Sequence, residues 1–197
     1  GRFDEALAHY MKVLEIDPDY SNAWNIADHY WTVEGKLDEA VVWMAKDLSL
    51  DPDSPLFSAW LGALFLDLGA SDEGESWIGR SIELGPEVYW PNHTMQLLGV
   101  YQDNEVTAWD YGRKTIELEY YPGKFDWPSL TLLRDHELKE GRYPEARALY
   151  EESYPELLKD DDPKVGSMNY QPAIDLALVL AKSGEQDRAD LLLSRSL

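Results

Sequence analysis

Residues 1–20 read GRFDEALAHYMKVLEIDPDY, and residues 35–54 read GKLDEAVVWMAKDLSLDPDS. Gly1 returns as Gly35, Asp4-Glu5-Ala6 as Asp38-Glu39-Ala40, and Asp17-Pro18-Asp19 as Asp51-Pro52-Asp53. A third copy follows in phase, with Gly69, Asp72-Glu73-Gly74 and Pro86. The common offset is 34 residues. A fixed period in the range of roughly 20–50 residues marks stacked structural repeats, each too small to bury its own apolar face.

The residue types at the repeated positions describe two helices and the punctuation between them. Ala6, Ala40 and Gly74 are small and fall mid-way along the second helix, where a neighbouring helix can approach closely. One turn on, on the same face, come the bulky Tyr10, Met44 and Ile78. Pro18, Pro52 and Pro86 cannot continue a helix and push the preceding residue toward extended geometry, so each marks a helix end. Gly35 and Gly69 stand between the helices of a unit, where a left-handed turn residue is wanted.

With these residues placed, the chain resembles the tetratricopeptide repeat family, whose pattern is W-x2-L-G-x2-Y, then A-x3-F, then P. The second unit supplies Trp24, Ala27, Asp28 and Trp31, then Ala40, Met44 and Pro52; the third supplies Leu61-Gly62 and Phe65, then Gly74, Ile78 and Pro86. The resemblance implies an all-α fold: a right-handed α-solenoid of antiparallel helix pairs, the tetratricopeptide superhelix. It implies five to six units in one solenoid, at 1–20 (truncated), 21–54, 55–88, 89–122, 127–158 and 170–197. In the second unit a helix is expected from Ser21, a good N-cap, to Val33, and another from Leu37 to Leu50.

The later units drift from the pattern. In the fourth, Met95, Ala108 and Thr115 fall at helix-face positions, while Gly99 and Gly112 stand where large side chains are expected. Trp90, Tyr101, Trp109 and Tyr111 are then expected to fill the space with rings. Tyr121-Pro122-Gly123-Lys124 reads as a turn. Gly141, Ala146 and Tyr150 keep the spacing in the fifth unit; Leu176-Ala177, Leu180, Gly184, Ala189 and Leu193 keep it in the sixth. Between them, Lys159-Asp160-Asp161-Asp162-Pro163-Lys164 reads as an exposed loop.

Thirty-eight acidic against 17 basic residues give a net charge of −21. This argues against nucleic acid, which needs a basic face, and against anionic membrane surfaces. It favours a neutral or basic partner, and equally keeps the molecule soluble. No stretch is long and apolar enough to span a bilayer. There is no cysteine, hence no disulfide framework or thiolate chemistry, which fits the cytosol and also allows a bacterial periplasm. The opening without Met, inside what reads as a second helix, leads to the expectation of a longer parent protein.

Catalytic motifs are missing: no phosphate-binding loop, no H-E-x-x-H, no G-x-S-x-G. His9, His29, His93 and His136 lack metal-ligand spacing, and no cofactor is expected. Asp160–Asp162 lacks the alternating ligands of an EF-hand. Asn92-His93-Thr94 matches a glycosylation sequon. Eight Trp and twelve Tyr suggest either an aromatic groove or rings in the core. Trp24, Trp31, Tyr10, Phe65 and Tyr150 fit the family's core positions, leaving Trp90 and Tyr101 as groove candidates.

The resemblance further implies a concave groove lined by the first helix of each unit. Its positions fall on Asn22, Asn25, His29 and Val33; on Leu56, Ala59, Ala63 and Asp67; and on Trp90, His93, Leu97 and Tyr101. Thr131, Asp135, Gln171, Ile174 and Leu178 continue it. Groove Lys and Arg of the carboxylate-clamping subset are absent from the second and third units. The expectation is a non-enzymatic scaffold binding a protein segment that is neutral or basic with apolar anchors. The rival readings are the regulatory arm of a larger bacterial signalling protein, and an α/α-toroid acting on glycans, against which the short period speaks.

Overall fold

The structure, a computed structural model, describes residues 2–20, 23–118, 127–159, 163–166 and 169–196. Every regular element among them is helical, and the chain divides into two compact units, Gly1–Tyr111 and Gly112–Leu197. The expected N-cap Ser21, the turn at residues 121–124 and the acids Asp160–Asp162 lie outside the described residues.

In the first unit α1 spans Phe3–Ile16, α2 Ala23–Asp28, α3 Leu37–Leu50, α4 Pro55–Asp67, α5 Ser71–Leu84 and α6 Tyr89–Tyr101; α7, Glu105–Glu117, begins in it. The prolines act as the repeat implied: α1, α3 and α5 end at Ile16, Leu50 and Leu84, each two residues before Pro18, Pro52 or Pro86. Gly35 and Gly69 take φ of +66° and +78°, and Asp103 fills the same slot one period on at +52°. Ser54 caps α4, its hydroxyl accepting from the Phe57 N–H at 3.3 Å, with Pro55 in the first turn.

Small residues decide where the paired helices cross. A Cβ on Gly62 would lie 2.5 Å from Ile78 Cγ1 and 3.0 Å from the Gly74 carbonyl, so α4 and α5 meet backbone to backbone. Ala27, Ala40, Met44, Phe57, Leu61 and Leu64 pack as one buried cluster, and Leu66, Ile78 and Leu98 as the next. Each large side chain hidden this way is worth about 1.5–3 kcal/mol. The fourth repeat corrects an expectation. Gly99 is not a hole filled by rings: a Cβ there would sit 2.5 Å from the Ala108 nitrogen. The glycine lets the backbone of α7 lie against α6.

Two further features had no sequence forecast. The helix begun by α2 continues over His29–Glu34 as a π-helix. In that wider turn residues five apart share a face, and His29 Nε2 lies 3.0 Å from Glu34 Oε1. Glu34 also holds Lys36 at 2.5 Å; bonds from Lys36 first, and from His29, hold its carboxyl below the usual range against partial desolvation. At the other end of α2, the fully buried Asp47 of α3 accepts from the backbone N–H groups of Ala23 at 3.2 Å and Trp24 at 2.6 Å. It satisfies two of the orphan donors at the start of the helix.

The second unit contains α8 (Trp127–Lys139), α9 (Tyr143–Ser153), a 3-10 turn (Pro155–Leu158), α10 (Tyr170–Lys182) and α11 (Gln186–Ser196). Gly141 and Gly184 carry the positive φ between paired helices. Leu130, Leu133, Tyr150, Leu157, Leu176, Leu180 and Leu192 form the largest buried side chains. In the sixth repeat Leu192 rather than the expected Leu193 turns inward, Leu193 staying 38% exposed. Arg134 is buried on α8, with Asp175 of α10 at 2.5 Å and Asp135 at 2.7 Å; the hydroxyl of Thr131 donates to Asp175 at 3.0 Å. Burial disfavours the guanidinium charge, but Tyr150, Asp135 and Asp175 together outweigh it and hold Arg134 above its ordinary value. Desolvation in turn pushes the Tyr150 phenol up.

Candidate binding groove

The helices α2, α4 and α6 run in the same direction in the first unit, and two sets of side chains join them. Near their N-terminal halves lies a ladder of tryptophans. The rings of Trp24 and Trp60 meet edge to face at 5.3 Å between centroids, and those of Trp60 and Trp90 at 5.1 Å. His93 closes the ladder, stacked on Tyr89 at 5.7 Å and edge-on to Trp90. Such pairs add about 0.5–1.5 kcal/mol each beyond the area they bury. All three tryptophans remain partly exposed.

At the C-terminal ends of the same helices, one carboxylate joins three repeats. Trp31, in the π-helix, donates its Nε1–H to Asp67 Oδ2 at 2.7 Å, and the Tyr101 hydroxyl donates to the other oxygen. The bond to Asp67, with burial and the nearby negative charge, pushes the Tyr101 phenol up to about 12. The sign of the resulting pH dependence is fixed. The folded chain keeps a proton that the unfolded chain releases near pH 10, so this stabilisation is complete below about pH 10 and fades toward about 12. Tyr101→Phe is therefore expected to lose less stability than the parent over that window. Denaturant midpoints at several alkaline pH values measure it, and identical slopes would refute the bond.

The sequence-derived groove residues separate into three groups. Trp90 and His93 join the ladder, and Tyr101 joins Asp67; Leu97 is half-buried on α6 between them. Val33 is 44% exposed, and Asn25 is half-buried. His29, Ala59 and Ala63 are 6%, 0% and 6% exposed, so these side chains pack between elements instead of lining an open wall. For His29 the π turn is the reason: it carries the ring inward beside Tyr30 and onto Glu34. Asn22 lies outside the described residues. Asp135, Thr131, Gln171, Ile174 and Leu178 belong to the second unit; Ile174 and Leu178 are exposed on α10 with Tyr170, while Asp135 binds Arg134.

Sequence reasoning passed over Trp60 and assigned Trp24 and Trp31 to the core. The available signal was Trp24, Trp60 and Trp90 in three successive first helices, at offsets of 36 and 30 that straddle the period. Asn92 of the sequon is fully buried and donates to the carbonyls of Pro86 and Val88 at 2.9 and 2.7 Å, so it is closed to glycosylation in this fold. Among the described residues no cluster of three or more His, Asp or Glu could hold a metal ion, and no helix is long and apolar enough to cross a membrane.

Paired helices with turn residues of positive φ between them at Gly35, Gly69, Asp103, Gly141 and Gly184 define a helical-repeat fold. The chain has the tetratricopeptide repeat fold, and residues 1–20 match the family model described as tetratricopeptide repeat. No curated protein matches the sequence. Among solved structures, a chain of the APC/C hetero-tetramer Cut9–Hcn1 is similar with a TM-score of 0.68 at 20% identity, over 100% of this chain and 40% of that one. A tetratricopeptide repeat protein from Parabacteroides merdae has a TM-score of 0.65 at 18% identity, over 100% of this chain and 72% of that one. YrrB, described as having an unusual peptide-binding site, has a TM-score of 0.51 at 16% identity, over 95% and 90%. This chain thus spans under half the length of the Cut9–Hcn1 chain. Proteins of this fold generally serve as protein-interaction scaffolds.

Proposed function

We propose that this chain is a non-enzymatic scaffold whose first unit binds a segment of a partner protein along α2, α4 and α6. The observation that carries the reading is the partly exposed ladder Trp24–Trp60–Trp90. Aromatic rings offer large contact area at little conformational cost and dominate the energetics of recognition surfaces. Three of them in edge-to-face contact across three helices make an apolar strip on which side chains of a peptide can rest. The peptide-binding site ascribed to YrrB is consistent with this use of the fold.

A random peptide library selected on the intact chain tests it. Recovered peptides are expected to bind Trp90→Ala at least tenfold more weakly, with circular dichroism of the variant unchanged. Recovered peptides that bind Trp90→Ala as tightly as the parent would remove the ladder from the site.

A further inference from the structure

Asp67 accepts two hydrogen bonds. Both come from neutral donors, Trp31 Nε1–H and the Tyr101 hydroxyl, and among the described residues no Lys, Arg or His lies within ion-pair distance of it. It is exposed, and so is Tyr101, at 52%.

Asp67 is also the last residue of α4, and both its donors stand in the last turns of neighbouring helices, Trp31 in the helix ending at Glu34 and Tyr101 at the end of α6. A helix C-terminus carries roughly half a negative charge in unsatisfied carbonyls, and Lys or Arg in the last turn is the usual remedy. None of these three helix ends has a basic residue in its last turn. The charge of the Asp67 carboxylate is thus not offset by a basic last turn, and its two donors fix its orientation while leaving lone pairs open.

We propose that Asp67 is a subsite for a lysine or arginine side chain of the partner segment, which rests on the ladder reading above. The spacing follows from α4 itself. Trp60 and Asp67 are seven residues apart on one helix, about 10 Å along its axis at 1.5 Å per residue. An extended peptide covers about 10 Å in three residues. The partner thus sets an apolar anchor on the ladder and a basic residue three positions away on Asp67.

Labelled Ser/Gly host peptides carrying one Trp test this by fluorescence anisotropy, with Lys or its uncharged analogue norleucine placed one, three or five residues from the Trp. The three-residue Lys peptide is expected to bind about fivefold more tightly than its norleucine twin, the advantage shrinking with added salt and vanishing in Asp67→Asn. Equal binding of Lys and norleucine peptides, with binding still lost in Trp90→Ala, overturns the cation subsite and leaves the ladder standing. An advantage that ignores spacing, or survives in Asp67→Asn, assigns the effect to the overall charge and also overturns it. The spacing comparison is made in the parent chain and holds even where Asp67→Asn is unstable. If no peptide binds, the ladder reading falls and the subsite with it.

Discussion

Gly99→Ala is expected to destabilise the protein by about 3 kcal/mol, a large part of the 5–15 kcal/mol typical of a folded chain. A Cβ at this position would stand 2.5 Å from the Ala108 nitrogen, 2.9 Å from its Cα and 3.1 Å from the Thr107 carbonyl carbon. All three are backbone atoms of α7, so no rotamer change relieves the clash and the two helices must separate. Alanine's better helix propensity returns only about 1 kcal/mol. Gly79→Ala, in the interior of α5 with open space around the new methyl, supplies the control and is expected to stabilise by about that amount. Thermal melts followed by circular dichroism separate the two, and a Gly99→Ala variant as stable as the parent would refute the close crossing of α6 and α7.

Gly99 also shows where sequence reasoning stops. A missing side chain looks the same in sequence whether it leaves a hole or admits a neighbouring backbone, and only the helix crossing distinguishes them. The punctuation was legible because it is local chemistry. Proline ends a helix and a residue with positive φ turns the chain, wherever the tertiary structure places them, and Leu37–Leu50 fell where those rules put it. The π turn at His29–Glu34 has no comparable local cause, so the inward rotation of His29 was not foreseen. The ladder was missed for another reason. Contacts between repeats depend on how far each first helix is rotated, and Trp24, Trp60 and Trp90 meet only because their offsets depart from the period. One pattern could have been read. Twelve residues after each turn residue comes a small polar side chain, at Asp47, Ser81, Thr115, Ser153 and Ser196. Ser81, Ser153 and Ser196 bond back to carbonyls of their own helices, whereas Asp47 reaches across to α2.

That reach makes Asp47→Ala the second large expected effect, a loss of about 3 kcal/mol. Removing the carboxylate takes away a cap, worth about 1 kcal/mol, and leaves the Ala23 and Trp24 N–H groups without their acceptor where Ala23 is wholly buried. An unsatisfied buried donor costs about 1–3 kcal/mol. Asp47→Asn keeps one acceptor but turns a donor toward the second N–H, so an intermediate loss is expected. The two variants respond differently to acid. Burial pushes the Asp47 carboxyl above its ordinary range despite the two backbone bonds, so the folded chain takes up a proton before the unfolded chain does. Its titration then favours the folded state at low pH and is lost as pH rises through the shifted value. Asparagine cannot gain this, so the deficit of Asp47→Asn relative to the parent is expected to widen on acidification. Because Trp24 takes its backbone position from this bond, Asp47→Ala should also shift the tryptophan emission of the folded state toward the red. Urea midpoints at neutral and acid pH measure the first two effects, and a deficit that narrows in acid would mean that the bonds from Ala23 and Trp24 outweigh burial at Asp47.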